Sequence, residues 1–152
     1  MERYEIIEEV KKYFKIKELV SEITLKHYGE NKCWSFFSKE LLETLLVLRT
    51  EIIKKPMRIN SYLYNLHQRG LRTNMDPIVK DKKSFYVSAH CLGQGLDFDV
   101  NGMIASEVRQ LIRDKQDLLP HHIRLEDDKS APTWVHFDVC NITEDKVVEF
   151  SA

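Results

Sequence analysis

Cysteine is scarce in this chain: Cys33, Cys91 and Cys140 are the only three in 152 residues. An odd set with no paired spacing does not build a disulfide framework, and it fits a protein made in a reducing cytosol. An excess of charge of either sign is missing too. Lys and Arg number 23 against 24 Asp and Glu, a formal net of −1. That balance removes the electrostatic argument for a nucleic-acid partner or an anionic membrane surface. The short basic stretches Lys54–Lys55 and Lys80–Lys83 read as solvated loops. No apolar run approaches the roughly 18 residues that span a bilayer. The chain opens on charge, Met1-Glu2-Arg3-Tyr4, where a leader would carry an apolar stretch. The expectation is cytoplasmic synthesis without a signal peptide, with delivery by other means if the target lies outside the membrane. Repeats, low-complexity tracts and linkers are also lacking. What is present is one domain over residues 1–152, 43% hydrophobic and able to bury one core.

The first part of that domain, residues 1–56, reads as helical. Ile6, Ile7, Val10, Tyr13 and Phe14 recur at amphipathic spacing among Glu and Lys. A second helix is predicted from Ile16 to about Tyr28, with Leu19, Val20, Ile23 and His27 on one side and Gly29 as C-cap. Ser38 reads as the N-cap of a third helix, Lys39–Lys54, which buries Leu41, Leu42, Leu45, Leu48 and Ile52 and ends before Pro56. Over residues 57–152 the pattern changes. Strands are predicted at Met57–Asn60, at Phe85-Tyr86-Val87, at Leu96–Val100, at Ile123–Leu125 and at Trp134–Cys140, with turns crowding Asn65–Asp76. Helical periodicity returns at Met103–Asp117. The fold class is α+β, with N-terminal helices packed on a small, mainly antiparallel sheet.

Three residues in the second part carry metal chemistry. In Ser88-Ala-His90-Cys-Leu-Gly93-Gln-Gly95-Leu-Asp97, a strand-turn-strand hairpin would set His90 at the end of one strand and Asp97 on the next. His136 lies on the later strand, where Trp134, His136, Asp138 and Cys140 alternate against Val135, Phe137 and Val139. Two imidazoles and a carboxylate, with a fourth position open to water, make the ligand set of a catalytic zinc site. The remaining histidines fit no such register: His67, His121 and His122 read as loop or helix-end residues, and His27 as core. Cys91 reads as packing, Asp99 as a surface or supporting carboxylate, and Trp134 as packing or substrate contact.

Ser88-x-His90-x-x-Gly93-x-Gly95-x-Asp97 resembles the S-x-H-x-x-G-x-A-x-D signature of the zinc D-alanyl-D-alanine peptidase family, with Gly95 at the usual alanine. Trp134-Val-His136-Phe-Asp138 resembles that family's second motif, W-x-H followed by an acid, and Arg69-Gly70-Leu71-Arg72 resembles its S-G-x-R element. The likeness runs from about Ile59 to Asn141, and the helical start followed by Arg-Ile-Asn resembles phage and prophage members. The resemblance implies the α+β fold of the hedgehog type and a murein peptidase, an endolysin-like zinc metallopeptidase acting on a peptidoglycan peptide. By the same resemblance His90, Asp97 and His136 bind Zn²⁺, Arg72 grips the substrate carbonyl or carboxylate, and Ser88 and Asp138 orient the ligands.

One position departs from the family. The general base commonly sits three residues before the last histidine, and here that residue is Thr133, which cannot take a proton. Glu126, Asp127 and Asp128 are the candidates to replace it, with Glu126 at a strand end in best reach. The alternative reading is a non-catalytic binding or virion structural module that keeps the metal for its fold.

Overall fold

The computed structural model describes all 152 residues. Helix α1 (Arg3–Lys11) starts where the Glu5 carboxylate accepts the Glu2 N–H at 2.6 Å, and it buries Ile6 and Val10. The expected helix from Ile16 to Tyr28 is two pieces. A single 3₁₀ turn, Ile16–Glu18, is followed by extended backbone, and α2 (Glu22–Tyr28) begins afresh. The break has a partner: Leu71 N–H donates to the Leu19 carbonyl at 2.8 Å, and Val20 pairs with Leu71. Ser21 then caps α2 by accepting from Thr24 N–H at 3.4 Å. Leu19 and Val20 stay buried, but the new helix phase leaves Ile23 44% exposed and turns His27 into solvent. His27 is therefore not a core residue.

Gly29 ends α2 with a positive φ, and a short α3 (Glu30–Trp34) follows. Helix α4 (Lys39–Val47) has the expected Ser38 cap, with Leu41 N–H donating to its hydroxyl at 3.2 Å. Its continuation, Leu48–Ile52, widens into π-helical turns. Two further helices are α5 (Pro77–Lys80) and α6 (Ala105–Asp114). No helix is long and apolar enough to cross a membrane.

Five strands, β1 (Met57–Arg58), β2 (Gly95–Val100), β3 (Ile123–Glu126), β4 (Val135–Asp138) and β5 (Val147–Phe150), form one sheet in the order β1-β2-β4-β3-β5. All neighbours are antiparallel except β3 and β5, so the sheet is mixed. The period of two divides each strand between two environments. Leu96 and Phe98, Ile123 and Leu125, and Val135 and Phe137 join the buried helix residues in a continuous core. Asp97, Arg124, Glu126, His136 and Asp138 fall on the opposite face.

The Phe85–Val87 strand does not form, and Phe85 is 95% exposed. An extended segment needs a free edge to pair with, and β2 has none to offer. One side pairs with β4; on the other, β1 meets Val100 and Asp99, and Arg69 O accepts from Asp97 N–H at 2.8 Å. His90 accordingly rides a turn rather than a hairpin strand.

Candidate metal centre

The register of the sheet puts the polar residues in two rows. Asp97 on β2 faces His136 on β4, while Gly95 faces Asp138. On the far side of β4, Arg124 faces Asp138 and Leu125 faces Phe137, a register that carries on to set Glu126 beside His136. Glu126 in turn faces Phe150 on β5. One row therefore runs Asp97, His136, Glu126, Phe150, and the next runs Gly95, Asp138, Arg124. Same-face neighbours on adjacent strands have Cβ atoms about 5 Å apart.

His90 reaches this row from the turn before β2. Gly93, within the turn, has φ +66°, and a Cβ there would lie 2.0 Å from the Phe36 carbonyl oxygen. Only glycine fits both demands. The His90 Nδ1 lies 2.9 Å from the Gly70 carbonyl oxygen, which can only accept. Nδ1 therefore donates, which leaves Nε2, 3.3 Å from Asp97 Oδ1, as the ring atom turned toward the group. Gly70 is itself forced: a Cβ would stand 2.0 Å from the Leu19 oxygen.

Asp97 Oδ1 also lies 2.8 Å from His136 Nδ1, and the other face of that ring, Nε2, is 2.9 Å from Asp138 Oδ2. The three residues are at least 93% buried, and their ligand atoms lie within 4.8 Å of one another. This group could hold a metal ion. A tetrahedral ion with bonds of about 2.1 Å needs donors roughly 3.4 Å apart, so the fit calls for small side-chain adjustments. Asp138 occupies the place of a carboxylate that orients a metal-bound imidazole. It is in turn held bidentately by Arg124, at 2.8 and 2.9 Å, and by the Cys140 N–H at 3.0 Å.

The electrostatics follow from this packing. Burial pulls the His136 imidazole down, but hydrogen bonds and charge from Asp138 and Asp97 outweigh it and lift the group to about 9. Burial pushes Asp138 up, yet His136 and Arg124 hold it at about 2. Asp97 is likewise kept well below the usual carboxylate range, burial notwithstanding, by His136 and His90. Glu126 moves the other way: burial raises it, with the Asp97 charge adding to the effect.

A cavity of about 300 Å³ opens over the group, walled by Arg72, Glu126, Trp134 and Phe150 among others. Arg72 is set by Nε donating to Gln68 O at 2.8 Å, and its Nη2 stands 3.4 Å from Asp97 Oδ2. Of the three acids weighed as replacements for Thr133, only Glu126 lines this cavity. Asp128 pairs with Arg109, and Asp127 caps Ser130 N–H at 2.9 Å and bonds Ser151. Thr133 is exposed. Ser88 lines the cavity, and its hydroxyl donates to Cys91 Sγ at 3.5 Å. His67, His121 and His122 bond to Asn65, Glu43 and the Thr143 carbonyl, away from the group.

Three contributors escaped the sequence reading. The alternation Ile123-Arg124-Leu125-Glu126 was the signal for Arg124. The run Val147-Val148-Glu149-Phe150 was the signal for β5 and its aromatic wall. Arg109 gave none, because helix periodicity does not reveal a buried cation.

No family model, curated protein or solved structure matches the chain.

Proposed function

We propose that the protein is a zinc-dependent peptidase that hydrolyses a peptide bond in peptidoglycan, a murein peptidase of the zinc D-alanyl-D-alanine peptidase type with a hedgehog-like fold. The observation that carries this reading is the row Asp97–His136–Glu126, in which two metal-binding side chains and an uncommitted carboxylate share one face beside His90 and an open cavity. His90 Nε2, Asp97 and His136 Nδ1 would hold the ion. When bound, zinc lowers the pKa of a water toward 7 and polarises a carbonyl.

The chain's own residues do the rest. Glu126 is raised by burial, which suits a carboxylate that takes the proton of the attacking water and passes it to the leaving amine. Arg72 stands at the rim with donors left over from Gln68 and Asp97, suited to a substrate carbonyl or carboxylate. Asp138 keeps the His136 proton on Nε2, and Arg124 keeps Asp138 in place.

The test uses zinc-loaded protein and purified cell walls, with muropeptides read by mass spectrometry. Wild type should release new amino termini. His136→Ala should lose both zinc and lysis. Glu126→Gln should keep zinc and lose about 10²–10⁴-fold in rate, the usual worth of a positioned base. Zinc bound by wild type without any cleavage would leave the non-catalytic module as the better reading.

A further inference from the structure

One buried cation stands outside the metal group and yet reaches two walls of its cavity. Arg109, on α6, has no exposed side-chain surface, and its only acidic partner, Asp128, is 61% exposed. The other donors go to main-chain carbonyls. Nε donates to Glu126 O at 2.8 Å, and Nη2 donates to Trp134 O at 2.8 Å and to Ala131 O. These acceptors span the connection from the end of β3 to the start of β4, which is irregular apart from a few local turns.

Burying a guanidinium is expensive unless its donors are satisfied. Four acceptors within residues 126–134 satisfy it, and in exchange the connection is drawn onto one rigid planar fork. Its two ends carry Glu126 and Trp134, whose side chains line the metal cavity. The metal ligands, by contrast, come from β2, β4 and the turn before β2. None of them is bonded to Arg109.

We infer that Arg109 is a positioning residue: it sets the place of Glu126 and Trp134 over the metal group without contributing to metal binding. The inference rests on the peptidase reading for what Glu126 does. A base must lie within hydrogen-bond reach of the water it activates, so a displacement of about 1 Å costs on the order of 10²-fold in rate.

The experiment compares Arg109→Gln and Asp128→Ala with wild type, all zinc-loaded. Zinc affinity comes from chelator competition, kcat and KM from muropeptide cleavage, and the setting of Trp134 from acrylamide quenching. Trp34, the other tryptophan, is 3% exposed and should contribute little to the quenching. Arg109→Gln should keep zinc affinity within about threefold, lower kcat by 10- to 100-fold with KM changed far less, and make Trp134 more quenchable. Asp128→Ala removes one bond at an exposed position and so reports even if Arg109→Gln does not fold; it should lower kcat several-fold with zinc affinity intact. Unchanged kcat in both variants, or kcat lost only in step with zinc, overturns the inference. If wild type binds zinc but cleaves nothing, the peptidase reading fails by itself. The quenching then decides Arg109, and unchanged quenching of Trp134 overturns its positioning role.

Discussion

Zinc uptake should compete with a proton at His136, and the structure sets the size of the competition. His136 Nδ1 faces Asp97 at 2.8 Å and Nε2 faces Asp138 at 2.9 Å, so without a metal the ring holds a second proton up to about pH 9. A ligating Nδ1 must be free of its proton. At pH 7 the ring is about two pH units below its midpoint, so apparent zinc affinity is lowered about 100-fold, or roughly 3 kcal/mol. Affinity should rise about tenfold per pH unit from 6 to 8 and level off near 9. One proton should be released per zinc from this ring, measurable by calorimetry in buffers of different ionisation enthalpy. The linked effect on folding has the opposite sense. The imidazole is raised above its ordinary 6.5, so the metal-free chain gains stability that is fully present below pH 6.5 and lost as pH climbs through 9. Its melting temperature should fall over that window. Asp138→Asn removes one of the two carboxylates and should flatten the affinity profile above pH 7. Zinc affinity that is flat between pH 6 and 8, or an unchanged slope in Asp138→Asn, would refute the reasoning.

Two structural substitutions test the frame beneath the site. Gly95→Ala would set a Cβ 2.7 Å from Ala89 Cβ and 3.2 Å from His136 Cε1, so it should cost about 1–3 kcal/mol in a denaturant melt and weaken zinc binding as well. Phe137→Ala empties a fully buried position packed edge-on against Phe98, directly behind His136. It should cost about 3–5 kcal/mol by the same melt, with the metal group spared in whatever fraction folds.

The sequence by itself determined the elements whose signals are local. Ser38 and the leucines of α4 specified a capped amphipathic helix. The alternation about His136 specified a strand with one polar and one apolar face, and the two histidine motifs named the three side chains that meet. Tertiary structure decided whatever depended on a distant partner. Leu71 pairs with the chain at Leu19–Val20 and splits an apparently continuous helix, which sends His27 to solvent. The edges of β2 are taken by β4, β1 and Arg69, so Phe85–Val87 does not join β2 and His90 sits on a turn. Among the three acids near Thr133 the sequence favours Glu126 only by its place at a strand end; the β3–β4 register turns it toward His136, while Arg109 takes Asp128 and the Ser130 turn takes Asp127. A strand pattern tells which residues share a face. Which face lies beside which is set by pairing across the sheet, and no local signal carries that.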